Sequence, residues 1–129
     1  MITLKQPTQP YTIEVAKGFK VTVKPLTTLS YSVATMTAQK KLADLEKGLR
    51  DVEESGFTVE QPVDLKNPQE RNALFLDCLI KDLAVTHIVG WDGVLDEEKN
   101  APADPTPENI RKVMDVSEFA EPFFQLFTH

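Results

Sequence analysis

The most constraining feature of this chain is a mirrored alternation of apolar and polar residues near its start. Tyr11, Ile13 and Val15 alternate with Thr12 and Glu14, and beyond Ala16-Lys17-Gly18 the residues Phe19, Val21 and Val23 alternate with Lys20, Thr22 and Lys24. Successive side chains of an extended chain point to opposite faces, so a period of two marks two strands with one apolar face each. Folding the chain about Lys17 sets Val15 against Phe19, Ile13 against Val21 and Tyr11 against Val23, which puts both apolar sets on one side. Glu14 then meets Lys20, and Thr12 meets Thr22. Gly18 stands where a three-residue hairpin loop wants a left-handed residue. A two-stranded ribbon this small is not stable by itself, so a hairpin over 11–24 demands a covering surface from the rest of the chain.

That surface is predicted to be helical. Pro25 ends the second strand, Thr27 or Thr28 caps, and a helix is expected over about 28–54. Tyr31, Thr35, Ala38, Leu42, Leu45, Leu49 and Val52 form its apolar stripe, widened at the start by Leu29, Val33 and Met36, with Gly48 a weak point. Ser55-Gly56 stops it, and 57–66 reads as an extended loop. Asn67-Pro68-Gln69-Glu70 supplies a cap, a first-turn proline and a capping-box acid for a helix over 68–87. Leu74, Phe75, Leu76, Cys78, Leu79, Ile80, Leu83 and Ala84 cover most of its circumference. It is therefore expected at the centre of the fold, with the hairpin packed on it around Leu76 and Leu79.

Asp92-Gly93 marks a tight turn after Ile88-Val89-Gly90-Trp91, and 96–104 reads as a solvated loop. Thr106-Pro107-Glu108 opens a short helix over about 107–115, and Ser117 caps a last one over about 118–127, which Pro122 is expected to break. With 129 residues and 41% of them hydrophobic, the chain fills one core. The expected class is α+β, a predominantly helical single domain with an N-terminal β-hairpin.

The net charge of −6 divides unevenly along the chain. Residues 1–50 carry eight Lys/Arg against three Asp/Glu, and 51–129 carry six against seventeen. The acidic half would repel a phosphate backbone, and the basic half is dilute, so nucleic acid is not an expected partner. No apolar run approaches the ~20 residues of a membrane-spanning helix, and the first residues show no secretory pattern. A lone cysteine, Cys78, excludes an internal disulfide framework and fits a reducing cytoplasm. A basic first half and an acidic second half suit salt-sensitive head-to-tail association.

Catalytic chemistry finds no constellation. The histidines are His87 and His129. Cys78 lies mid-way along the most apolar helix, where a thiol packs as a small hydrophobe and its thiolate is disfavoured. His87 reads as a helix-terminal cation or a satisfied interior residue. The acidic loop Asp92, Asp96, Glu97, Glu98 and Asp104 lacks calcium-loop spacing, since Val94 stands where a ligand belongs. No Cys/His cluster suggests zinc and no glycine-rich loop suggests a nucleotide. The expectation is a non-enzyme with no cofactor and no metal. Contact surfaces are expected at Lys20 and Lys24 on the hairpin and at Lys40 and Lys41 on the first helix. The third is the aromatic series Phe119, Phe123 and Phe127, read either as a core-docking face or as one offered to another chain's groove.

Three stretches then bear on family. They are Ile2-Thr3-Leu4-Lys5-Gln6-Pro7; Phe19-Lys20-Val21-Thr22-Val23-Lys24-Pro25-Leu26-Thr27 with its Ala- and charge-rich helix; and Ile88-Val89-Gly90-Trp91-Asp92-Gly93-Val94 with Thr106-Pro107-Glu108-Asn109-Ile110 downstream. Together they resemble the tail assembly chaperones of long-tailed bacteriophages. The resemblance implies a mostly helical, non-enzymatic protein of the bacterial host cytoplasm, absent from the mature virion. Such a protein binds the tape measure protein, keeps its apolar helices from aggregating and recruits tail tube protein; self-association is compatible with it. In many phages of this kind a ribosomal frameshift adds a longer form. The alternative is a structural virion component, such as a head-to-tail joining or minor tail protein.

Overall fold

In a computed structural model, which describes residues 8–56 and 63–129, the hairpin forms from β1 (Tyr11–Ala16) and β2 (Phe19–Val23). The opening stretch 2–7 and residues 57–62 of the expected loop lie outside the described residues. The register pairs Tyr11 with Val23, Thr12 with Thr22, Ile13 with Val21 and Glu14 with Lys20, as the alternation requires. It then slips, so that Ala16 and not Val15 faces Phe19. The turn is thus shorter than expected: Lys17-Gly18 closes it with Gly18 at φ 83°, and the bulge at Val15 absorbs the odd residue. Val15 and Phe19 remain buried together on the apolar face, which is what the slip preserves.

Helix α1 (Thr28–Glu54) starts at Thr27, whose hydroxyl accepts from the Ser30 N–H while Ser30 Oγ accepts from the Thr27 N–H. This reciprocal cap satisfies two otherwise orphaned donors. Helix α2 (Pro68–His87) starts under Asn67, whose side chain accepts from the Gln69 and Glu70 N–H groups. The two helices pack along each other, joined across the seam by the ion pairs Lys41–Asp82 and Arg71–Glu46. The buried line of α1 is Ala34, Ala38 and Leu42, a narrower seam than the predicted stripe. Small residues four apart let the helix axes approach closely. A close approach covers only a thin strip, and Leu29, Val33, Met36 and Leu45 are left exposed.

From His87 the chain passes directly into β3 (Ile88–Asp92), a strand absent from the sequence expectation. It lies antiparallel to β2, with Lys20 opposite Asp92 and Val21 opposite Trp91, so the sheet order is β1-β2-β3. Central position explains why Val21 and Val23 are fully buried. The expected solvated loop at 96–104 holds a small second ribbon, β4 (Leu95–Asp96) paired with β5 (Ala101–Pro102). Asp96 Oδ1 accepts from the Glu98 N–H to shape its tip, and Trp91 Nε1–H donates to the Ala103 carbonyl at 2.7 Å to anchor it.

Helix α3 (Pro107–Met114) is capped by Thr106 and packs on α2, with Ile110 and Met114 inward. Lys81 of α2 reaches Asp77 at 3.0 Å and Asp115 at 2.5 Å, tying the two helices at the surface. Helix α4 (Ser117–Thr128) continues through Pro122 rather than breaking there. An interior proline costs about 3 kcal/mol. Burial of Ala120, Phe123 and Phe127 on either side offsets it. This helix, not the Leu76 face of α2, covers β1, and Leu76 stands partly exposed. Strands and helices thus share one core, in which Phe19 meets Trp91 and Phe119 edge-on at centroid distances of 6.2 and 5.4 Å.

Candidate docking groove

Between the start of α1 and the end of α2 lies a groove of about 490 Å³. Leu29 and Val33 form its outer rim, 74% and 55% exposed, and Met36, 69% exposed, carries the same apolar face onward. Ala34 and Thr37 of α1 face Asp82, Thr86 and His87 of α2 across it, and Lys24 and Pro25 close one end. Lys40 stands seven residues beyond Val33, two helical turns along the same exposed face.

His87 is buried and fully occupied. Its Nδ1 lies 2.9 Å from the Leu83 carbonyl and 2.8 Å from the Thr86 hydroxyl, and its Nε2 lies 3.0 Å from Ser30 Oγ. A carbonyl partner requires the proton on Nδ1, which leaves Nε2 as an acceptor facing Ser30 Oγ, whose one proton has Nε2 and the Thr27 carbonyl as its two acceptors. The ring also meets Phe127 edge-on at 5.0 Å. Burial pushes its pKa below the ordinary 6.5; the Leu83 carbonyl opposes that shift and the nearby Lys24 charge adds to it. Of the two sequence readings, the satisfied interior residue is the one observed, and the helix-terminal cation is not.

Asp82 is the least satisfied polar group of the groove. Its side chain is only 12% exposed; Oδ1 takes the Lys41 ammonium at 2.7 Å, and Oδ2 is buried without a hydrogen-bond partner among the described residues. The threonine hydroxyls that line the groove beside it bond to backbone: Thr37 donates to the Val33 carbonyl and Thr86 to the Asp82 carbonyl, each at 2.8 Å. A buried acceptor left without a donor costs about 1–3 kcal/mol.

The sequence-predicted residues divide accordingly. Lys24 lines the groove, Lys41 holds its buried carboxylate and Lys40 extends its rim. Lys20 stands apart, exposed between Glu14 and Asp92 across the sheet, so its charge already has carboxylate neighbours on the adjoining strands. Phe123 and Phe127 are buried and stacked on each other at 5.3 Å, and Phe119 packs beside the core. These aromatics form the core-docking face, not one turned outward to another chain. Cys78 is half-buried, and burial with the Asp77 carboxylate beside it pushes its thiol pKa above the ordinary range. Among the described residues no group of three His, Cys, Asp or Glu side chains is placed to hold a metal, and no helix is long and apolar enough to cross a membrane.

Sequence reasoning missed Leu29, Val33, Asp82 and His87 as a group. The available signal was the pair Ala34 and Ala38: alanines four apart mark a close seam, and residues on the far side of such a seam stay outside. Comparisons with protein-family models, curated proteins and solved structures found no match to this chain.

Proposed function

We propose that this chain is a non-enzymatic tail assembly chaperone of a long-tailed bacteriophage or a related prophage. In this reading it binds the tape measure protein in the host cytoplasm, recruits tail tube protein and is not carried into the virion. The observation that supports the reading is the face of α1. The protein completes its own core and still leaves Leu29, Val33 and Met36 exposed in a row beside a groove. A contiguous exposed apolar patch rimmed by polar residues marks a site for another macromolecule. A holdase for long amphipathic helices needs such a strip, and it needs no reactive group.

Co-expression with the long helical open reading frame expected nearby in the genome tests the proposal. The long protein should become soluble with the wild-type chain and remain insoluble with Val33→Glu. Recovery of this chain in purified, washed particles would instead favour the structural-component alternative and refute the chaperone role.

A further inference from the structure

The junction between α3 and α4 is a single residue. Asp115, at φ −71° and ψ −19°, still has helical backbone, and α4 begins at Ser117. Only Val116 departs, at φ −94° and ψ 115°. Nothing local imposes that break. The stretch from Met114 to Ser117 holds neither glycine nor proline, valine is a poor N-cap, and no side chain caps the first turn of α4. Rotating Val116 ψ into the helical range would fuse the two elements into one helix over 107–128 and turn the uncapped first-turn N–H groups of α4 into ordinary rungs. The break is therefore held by tertiary docking alone.

The two sides of this hinge are attached in different ways. Helix α3 is fixed to α2 by buried Ile110 and Met114 and by the Lys81–Asp115 ion pair, immediately before the pivot. Helix α4 has no such tether. Its only side-chain hydrogen bond among the described residues, from Thr128 Oγ1 to the Phe124 carbonyl, is internal, and its grip on β1, Phe19 and the His87 ring is apolar and aromatic. In the fused helix, at about 100° per residue, Ala120, Phe123 and Phe127 would point about a third of a turn away from Ile110 and Met114. A chain with a straightened hinge thus keeps α3 on its own α2 but cannot return α4 to its own sheet. It leaves bare an apolar sheet face and an apolar helix face, and a second copy in the same state supplies the exact complement of each.

We propose that this protein exchanges α4 between two copies through the Val116 hinge, so that each sheet is covered by the other copy's terminal helix. Every α4 contact of the closed monomer is re-formed across the dimer. The two states differ in the hinges and in the cost of association, so concentration governs the exchange. Exchange is slow, because Phe123 must first leave the core. The proposal is independent of the chaperone reading. Each subunit keeps its own α1 face, so exchange doubles the valence of that surface without altering it.

The test follows the full chain by size-exclusion chromatography with light scattering after refolding over a range of concentrations. Expected is a dimer whose share rises with refolding concentration and which returns slowly to monomer on dilution. Val116→Ala favours the fused helix, and Val116→Asn caps the separate one. Each dimer carries two hinges, so the dimerisation constant of the alanine variant should exceed that of the asparagine variant by about thirtyfold. Val116 is 44% exposed, so both variants should fold, which the far-UV spectra of their monomers verify. An isotope-filtered NOE spectrum of a dimer refolded from labelled and unlabelled chains locates the helix: contacts between Phe119 and Phe19, whose ring centroids lie 5.4 Å apart, should appear between copies. A dimer in which those contacts stay within one copy, equal dimerisation of the two variants, or no dimer of the alanine variant at any concentration would overturn the proposal.

Discussion

Gly93 separates two ways in which a glycine becomes indispensable, and substituting it should be among the most damaging single-methyl changes available to this protein. Its φ is +99°, and a Cβ built there would overlap the Gly18 carbonyl oxygen, lie 2.9 Å from that carbonyl carbon and 3.1 Å from Phe19 Cα. The turn after β3 therefore rests directly on the hairpin loop, backbone against backbone. An L-residue at positive φ costs about 1–2 kcal/mol. Overpacking adds about 1–3 kcal/mol, because neither partner is a side chain that can swing aside. For Gly93→Ala the total is about 2–5 kcal/mol. At about 4 °C per kcal/mol for a chain of this length, the melt should fall by about 8–20 °C. Two control substitutions isolate the terms. Gly18, at φ +83° with nothing within 4 Å of its added Cβ, carries only the backbone cost, so Gly18→Ala should lower the melt by about 4–8 °C. Gly48 lies inside α1 with nothing within 4 Å of its added Cβ, so Gly48→Ala should raise it by about 2–4 °C through helix propensity alone. Far-UV circular dichroism melts of the three variants suffice. If Gly93→Ala melts no lower than Gly18→Ala, the close approach of the two turns is wrong.

Three further outcomes follow from the packing and the titratable groups. His87 holds its pKa below 6.5, so the unfolded chain takes up its proton first as pH falls. The stabilisation by neutral His87 is full above about pH 6.5 and lost towards the lower folded pKa, and His87→Gln should flatten melting temperature against pH over that window. Phe123 is fully buried against Phe127, so Phe123→Ala should cost about 3–5 kcal/mol in denaturant unfolding, and deleting 119–129 should abolish the cooperative transition. The Cys78 thiol, half-buried with a raised pKa, should react with a thiol-specific reagent at pH 8 more slowly than a model peptide and reach the peptide rate in denaturant.

Local signals carried much of the fold. The hairpin register from Tyr11 to Lys20 follows from the period-two pattern, and the starts of α1, α2 and α3 follow from the caps Thr27, Asn67 and Thr106, whereas α4 begins at Ser117 itself, behind Val116, with no side-chain cap. The failures share one cause, which is that a partner distant in sequence decided the outcome. Ile88-Val89-Gly90-Trp91 has strand-forming residues but is short, interrupted by Gly90 and without polar–apolar alternation, and it becomes β3 where β2 offers an open edge. Pro122 should break a helix in isolation, yet burial on both sides holds α4 together. The apolar stripe of α1 was drawn too wide because the sequence does not show how close α2 approaches. The groove was illegible for the same reason: Lys24, Lys40 and Lys41 stood out as charges, but Asp82 and His87 acquire meaning only where two helices meet.

The cover that α4 gives to β1 sets an order on the protein's biogenesis. β1 leaves the ribosome long before the helix that shields it, and β2 gains its second neighbour only when residues 88–92 have been made. Until then the apolar face of the hairpin is exposed to whatever else is being synthesised nearby. A chain that stops short of α4 should not yield a smaller folded version of this protein; it should yield a sticky one that proteases and chaperones remove. Quality control is thereby placed at α4, and only a chain translated through that helix covers its own sheet.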